Sequence, residues 1–465
     1  MPPCFVVTTH PKYGKVFFPH TPKNFKPPVT EYQQVHFPKT NYTDRTFGVI
    51  DPNINSDIAY TIAKNWKKII GTIFHKTNKV CCYSFPIPLD AKNPGSIGGL
   101  RSGRMIYEFI EMAESDVAAV AHRFKYLINT DVKNFYPSIY THSIPWAIHG
   151  KKFARKTANR TNFKHIGNRL DKLFQNSNDG CTNGVAIGPA VSDLAAEIVM
   201  SGVDRLVSKS LSAEVVVLRF KDDYRILAKS ESAGISVIKA LQAALKEYRL
   251  ELNDEKTEFH KLPNGIFREW VSQYHAANKS PKAYYNFRRF KETYLSVVNI
   301  DRTNPGSGVI DRFLADIITK KYRLRVQLDK KSLPKIMSLL LMLGDLRTKA
   351  FPKILAIIEA ILHSPFGKKH SESIAEHLND YLFQLSEKES ENRYLIAWIC
   401  YFLRANDLEK HITKKYKFQD PIVRATYTSR FTLFKACRDF KVFQGVKLTS
   451  KKTSLLQHLD VFKPQ

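Results

Sequence analysis

The spacing of apolar residues changes several times along the chain. From Met1 to about Asn55, Pro, Tyr, Phe and Thr dominate with little helical periodicity, which predicts an extended N-terminal arm over residues 1–56. From Asp57 to Ile73 the spacing turns helical: Ile58, Ile62, Trp66 and Ile69 or Ile70 share one face, opposite Lys64, Lys67 and Lys68. Two short strand patterns follow, Val80–Ile87 and Met105–Phe109, joined by the basic, Gly-rich run NPGSIGGLRSGR.

The middle of the chain alternates both periods. Lys125–Thr130 reads as a strand ending at Asp131. Pro189 stands where a first-turn proline belongs, ahead of Ala195, Val199, Val203 and Leu206 on one helix face. Val215–Phe220 and Tyr224–Ala228 flank Lys221-Asp222-Asp223 as a hairpin. Ile238, Leu241, Leu245 and Tyr248 return to helical spacing, and Leu250 and Leu252 alternate as a short strand. Such an order predicts an α+β fold with an antiparallel sheet. Past Thr303 an NPGSG run marks a linker. Beyond it, Leu333–Leu343, Phe351–Leu362, Ser371–Leu385 and Glu391–Leu403 predict two helix pairs repeating about every forty residues, the size of HEAT-type repeats.

Composition narrows the function. At roughly 150 residues per domain, 465 residues allow about three domains. Lys and Arg number 72 against 43 Asp and Glu, a formal charge of +29, so a polyanionic partner is expected, nucleic acid before a membrane surface. From Lys410 onward, 13 basic residues face three acidic ones, which makes this tail, with Lys414, Lys415, Lys451 and Lys452, the first choice for nucleic-acid contact. The longest apolar run, Tyr394–Leu403, is ten residues, about half a bilayer span. No signal-peptide pattern opens the sequence, so a cytoplasmic protein is expected. Six cysteines form no C-x-x-C pair and are expected to stay reduced.

The candidate chemistry lies in three aspartates. An Asp-Asp pair in a hairpin ordinarily reads as a solvated turn. Fixed between apolar strands, however, two carboxylates are costly unless a cation neutralises them, and Mg²⁺ is the usual hard partner of carboxylate oxygens. Asp131 ends another apolar strand and meets Asp222 and Asp223 if the strands lie side by side. Two Mg²⁺ ions so held can activate an attacking 3′-hydroxyl and stabilise the leaving oxygen of an in-line nucleotidyl transfer.

These residues also carry a resemblance. The run DVKNFYPSIY from Asp131, GCTNGVAIGPAVSDLAAE from Gly180 to Glu197, RFKDDY from Arg219 to Tyr224, and Leu252-Asn253-x-x-Lys256-Thr257 resemble motifs A to D of reverse transcriptases, in order. The likeness covers roughly residues 57–270. The run SIYTHSIPWAIHG, Ser138 to Gly150, looks like the bacterial defence-associated reverse transcriptases of the abortive-infection and unknown-group lineage.

The resemblance implies a right-hand polymerase. Fingers and palm would span 57–300, and an all-α HEAT-like helical repeat domain with the basic tail would span 301–465. It implies two Mg²⁺ on Asp131, Asp222, Asp223 and the Val132 carbonyl. Tyr136 would serve as steric gate against a ribose 2′-hydroxyl, Gly188 and Pro189 would line the nucleotide pocket, and Lys256 would lie near the leaving pyrophosphate as its proton donor. Arg101 and Arg104 would grip the triphosphate. Implied partners are dNTPs, a non-coding RNA or DNA product, further copies of the chain, and a second defence protein, with no membrane. Two positions depart from the family pattern: Ile187 stands where a Gln amide is common, and Lys221 precedes the aspartates. Retron or group II intron-type reverse transcriptases, and a nucleic-acid scaffold with a non-turnover polymerase site, are the alternatives.

Overall fold

The computed structural model describes residues 2, 4–5, 25–39, 44–84, 114–319, 323–412 and 414–430. The strand pattern at Met105–Phe109, Arg101, Arg104, Lys451 and Lys452 lie outside the described residues. The chain divides into two compact units, one of Thr9–Val35 with Thr46–Phe267, the other of Met1–Thr8, His36–Arg45 and Arg268–Gln465. Within the N-terminal 56 residues, β1 (Gln33–Pro38) and β2 (Asp44–Val49) form a two-stranded sheet.

In the unit that ends at Phe267, helix α1 (Pro52–Lys64) starts five residues before the apolar spacing suggests. The Asp51 carboxylate accepts from the Asn53 and Ile54 amides, and Pro52 supplies a preset φ. The helical conformation then breaks at Asn65, φ −110° and ψ 23°, and α2 (Trp66–Ile73) follows with Ile69 and Ile73 buried.

The central sheet contains β3 (Cys81–Cys82), β4 (Tyr126–Val132), β5 (Val215–Phe220), β6 (Asp223–Ala228) and β7 (Leu252–Lys261), in the spatial order β3-β5-β6-β4-β7. Only β3 runs parallel to its neighbour, β5; the other pairings are antiparallel. The fold is thus mixed helix and sheet, with β6 central between β5 and β4. β7 is far longer than the Leu250–Leu252 alternation suggests. It lies at an edge and is largely exposed, so its burial leaves little apolar period to read.

Helices α3 (Ser143–His149), α4 (Ile166–Asn176), α5 (Ala190–Ser208) and α6 (Glu231–Glu247) cover the sheet and one another. Pro189 is the N-cap of α5, one residue before its first turn. This helix is buried on nearly every side. Ala195, Val199 and Val203 form part of the main apolar core. The other side is also enclosed, and it carries Asp193, Glu197, Ser201, Asp204 and Ser208 at intervals of three or four. A buried polar stripe of this kind must find partners.

The other unit is helical in its described C-terminal part. α7 (Glu269–Ala277), α8 (Phe287–Thr303) and α9 (Val309–Asp316) precede α10 (Leu333–Leu346), α11 (Phe351–Leu362), α12 (Ser371–Ser386), α13 (Glu389–Ala405) and α14 (Pro421–Thr428). α10 packs on α11 and α12, and α13 on α11, α12 and α14. Among the described residues no helix is long and apolar enough to cross a membrane.

Candidate active site

Strands β5 and β6 are joined by a two-residue turn, Lys221–Asp222, since Phe220 and Asp223 still pair across the ladder. Lys221 takes a left-handed conformation, φ 53°, as the first position of a tight hairpin turn requires. Two bonds from neighbouring elements pin this turn. The Val132 amide donates to the Asp222 carbonyl at 3.1 Å, and Arg219 Nη1 donates to the Lys221 carbonyl at 2.9 Å.

Asp131 on β4 is the direct antiparallel partner of Asp223 on β6, so the two side chains share one face of the sheet. Asp222, one residue away, is held against β4 through its carbonyl. The structure therefore brings the three sequence-predicted aspartates together with Val132, whose side chain is buried.

The electrostatics of this trio are unfinished. Asp131 is largely buried, and its Oδ1 has no hydrogen-bond partner. Asp223 keeps an exposed rim, yet desolvation first, then the neighbouring Asp222 and Asp131 carboxylates, push its pKa up to about 6. Lys256 Nζ contacts Asp131 Oδ2 at 2.7 Å. A bulge sets this contact: opposite β4, residues 254–257 of β7 are matched to Thr130 alone, where the register shifts. The Lys256 side chain is 64% exposed, so it can leave Asp131 without vacating a packed site. The hydrogen bond to Asp131 raises its pKa despite some desolvation, which keeps it cationic.

Does such a site suit a divalent cation? Among the described residues no three His, Cys, Asp or Glu side chains are already gathered at ligand spacing. The donor chemistry nevertheless fits: hard carboxylate oxygens on one face, one of them buried and unpartnered, with mutual repulsion that a cation relieves.

Tyr136 and Lys221 meet on the α5 side of the site. The Tyr136 hydroxyl donates to Asp193 Oδ1, and Lys221 Nζ contacts the same oxygen at 3.1 Å. Desolvation, then Asp193, hold the Tyr136 hydroxyl far above its ordinary range, so it stays protonated and donating. Lys221 thus points toward α5, where it balances Asp193. Gly188 has φ 110°, and a Cβ there would sit 3.0 Å from the Phe47 ring. Ile187 uses its carbonyl to accept from the Gly48 amide at 2.9 Å. Lys414 and Lys415 are exposed and belong to the other unit, where Lys414 Nζ lies 4.3 Å from the centre of the Phe383 ring.

Sequence reasoning missed the network behind the hairpin. Arg219, only 1% exposed, reaches Glu197 Oε2 at 3.0 Å and Asp204 Oδ2 at 2.8 Å, both on α5. Ser84 Oγ and Cys82 Sγ donate to Glu197 at 2.5 and 3.2 Å, and the Tyr224 hydroxyl donates to Asp204 at 2.9 Å. Burial pushes the Cys82 thiol up to about 12, so it remains a neutral donor. Burial alone would favour a protonated Glu197, but Arg219 outweighs it and holds this carboxyl ionised. The available signal was Asp193, Glu197 and Asp204 on one side of a helix whose opposite side is apolar.

No curated protein matches the chain. Three solved structures with detectable likeness are telomerases of Candida. Apo telomerase of Candida tropicalis is 11% identical, with 85% of this chain and 70% of that chain covered and a TM-score of 0.36. A form of it truncated from the C-terminal domain is 15% identical, covering 51% and 52%, at 0.33. Telomerase of Candida albicans with a fragment of telomeric RNA is 9% identical, covering 80% and 64%, at 0.33. The chain spans about half the length of the truncated form, and likenesses at this level imply nothing about its function. The family of reverse transcriptases (RNA-dependent DNA polymerases) matches residues 63–285, just under half of the chain, and includes all three aspartates. Residues 63–285 thus form a reverse transcriptase domain, the type of domain found in RNA-directed DNA polymerases.

Proposed function

We propose that this chain is a DNA polymerase of bacterial antiphage defence, RNA-directed or template-independent, that joins deoxynucleotides on two Mg²⁺ ions. The observation that carries the reaction is the unpartnered, buried Asp131 Oδ1 beside a carboxylate pair that repels itself. Asp131, Asp222, Asp223 and the Val132 carbonyl would hold the ions, which when bound lower the pKa of the attacking hydroxyl and stabilise charge on the phosphoryl group.

The remaining work falls to the chain's own residues. Asp223 must be ionised to bind a cation, and it is so above about pH 6. Lys256 must release Asp131 when a cation arrives. Freed, its exposed and fully protonated ammonium is placed to neutralise and protonate a departing pyrophosphate. Tyr136, fixed through Asp193, would present an immobile ring edge to the sugar of the incoming nucleotide. Fingers and palm would span 57–300, with Arg101 and Arg104 gripping the triphosphate. Residues 301–465 would form a helical repeat domain, with Lys414, Lys415, Lys451 and Lys452 contacting nucleic acid. Further copies of the chain and a second defence protein complete the expected partners.

The defence role rests on the resemblance of Ser138–Gly150, and it is tested by phage challenge. Asp222→Asn with Asp223→Asn should abolish both nucleotide incorporation and protection. Sequencing the copurified nucleic acid and testing it for covalent attachment distinguishes templated, untemplated and protein-primed synthesis. A second reading, a scaffold whose polymerase site does not turn over, is favoured by Ile187, an apolar side chain where an amide would handle template. Protection that survives the double substitution selects it.

A further inference from the structure

The segment Ser138–Gly150 contributes no residue to the carboxylate site, yet it builds one wall of a cavity of about 370 Å³. Tyr140 and Trp146 form that wall, their rings edge to face with centroids 5.6 Å apart. The floor is polar: His142 Nδ1 bonds Asp171, whose other oxygen accepts from Gln175 Nε2 at 2.6 Å. Both acids at the cavity are already engaged, since Glu247 contacts Lys151 Nζ at 2.7 Å. Arg155, Arg160, Lys246 and Arg249 also line it, all four exposed, and none forms an ion pair among the described residues. The Arg249 guanidinium carbon sits over the Tyr140 ring, 4.3 Å from its centre.

Four unneutralised cations converging on one concavity repel one another, and a multiply charged anion relieves that repulsion. The volume is that of a pocket for one small organic ligand. Aromatic and guanidinium planes at the wall suit a flat ring, and the His142 ring, with Nδ1 committed to Asp171, keeps Nε2 for a polar edge. We propose that this cavity is a second nucleotide site, separate from the polymerase centre, that binds the phosphate and base of one nucleotide. The nucleotide is either a free nucleoside triphosphate or one residue of an RNA strand. Arg155 and Arg160 take the phosphate, while Tyr140, Trp146 and Arg249 hold the base.

The test uses the full chain carrying Asp222→Asn and Asp223→Asn, in EDTA, so that cation-dependent binding at the polymerase centre contributes nothing. ATP, inorganic triphosphate and a short single-stranded RNA are titrated separately by calorimetry. Saturable binding of ATP tighter than of triphosphate identifies a free-nucleotide site. Saturable binding of RNA alone identifies a strand site. Arg155→Ala with Arg160→Ala, both at exposed positions, should weaken the bound ligand at least tenfold, and Arg155→Lys with Arg160→Lys should restore part of it. For RNA, the slope of log affinity against log salt should fall by roughly 0.7 for each phosphate that the variant no longer neutralises. Absence of saturable binding by ATP and RNA overturns the proposal. So does an equal loss from the control Lys229→Ala with Lys239→Ala, two cations away from the cavity. None of these outcomes depends on polymerase turnover.

Discussion

Two sets of carboxylates adjoin the β5–β6 hairpin and are treated in opposite ways. Behind it, Glu197 and Asp204 share the Arg219 guanidinium, with Ser84, Cys82 and Tyr224 donating to the remaining lone pairs. At its tip, Asp223 lies opposite Asp131 of β4 and next to Asp222, and desolvation with these neighbouring carboxylates pushes its pKa up. Lys256 contacts Asp131 from an exposed position, and the buried Asp131 Oδ1 is unpartnered. Only two residues separate Arg219 from Asp222. A fully paired cluster has no use for another cation and serves to lock β5 to α5. An underpaired cluster retains a demand for positive charge, and that demand marks a site of chemistry. The first set positions the second, because Arg219 also holds the carbonyl of the turn residue Lys221.

The sharpest way to break this comparison is to remove charge from both sets. At the tip, Asp222→Asn with Asp223→Asn should lower nucleotide incorporation by on the order of 10⁴-fold, read by extension of a labelled primer. The fold should not suffer, since repulsion is being relieved. A double variant that unfolds would assign the tip a structural role. Behind the hairpin the signs reverse. Arg219→Met should cost about 3–5 kcal/mol in chemical denaturation, because two buried carboxylates lose their counterion. Adding Glu197→Gln and Asp204→Asn should recover most of it. A single-variant loss under about 1 kcal/mol would remove the distinction between the sets.

Smaller effects sharpen it. Lys256→Ala should reduce incorporation by about 10²-fold, as expected when a proton donor is removed, while stability stays within about 1 kcal/mol because the lysine of the pair is largely exposed and screened by solvent. The mildest effect is on pH. Asp223 titrates near 6 in the fold against 3.8 ordinarily, so the folded state binds the extra proton between these values. Stability of the cation-free protein should therefore be highest below about pH 4 with respect to this group and decline as pH rises to about 6. The Asp223→Asn protein should lack that decline in a thermal-melt series. Incorporation should show an acid limb at or below pH 6 that moves lower as divalent cation is added, since binding competes with the proton.

The carboxylates are readable in sequence because apolar runs end at Asp131 and restart at Tyr224, which marks the strand ends, whereas the pairing of β4 with β6 that brings them together is a crossover that chain order does not fix. Arg219 and its partners are harder to read. Helix α5 is enclosed on both sides, and enclosure erases the polar-out signal that amphipathicity depends on. The contact of Lys256 with Asp131 depends on a bulge, which no periodicity announces. The start of α1 hides in a capping pair, Asp51-Pro52, ahead of its first buried isoleucine.

The way the central sheet ends has a bearing on the chain at high concentration. At one edge, half of the ten residues of β7 are charged: Asp254, Glu255, Lys256, Glu258 and Lys261. At the other, β3 offers a paired length of two residues. Neither described edge presents a long apolar row of free amides and carbonyls for a second chain to extend. The lysine that serves the carboxylates thus belongs to the same charged row that discourages intermolecular strand addition. Neutralising β7 to probe Lys256 and its neighbours together would be expected to cost solubility as well as activity, and single substitutions avoid that.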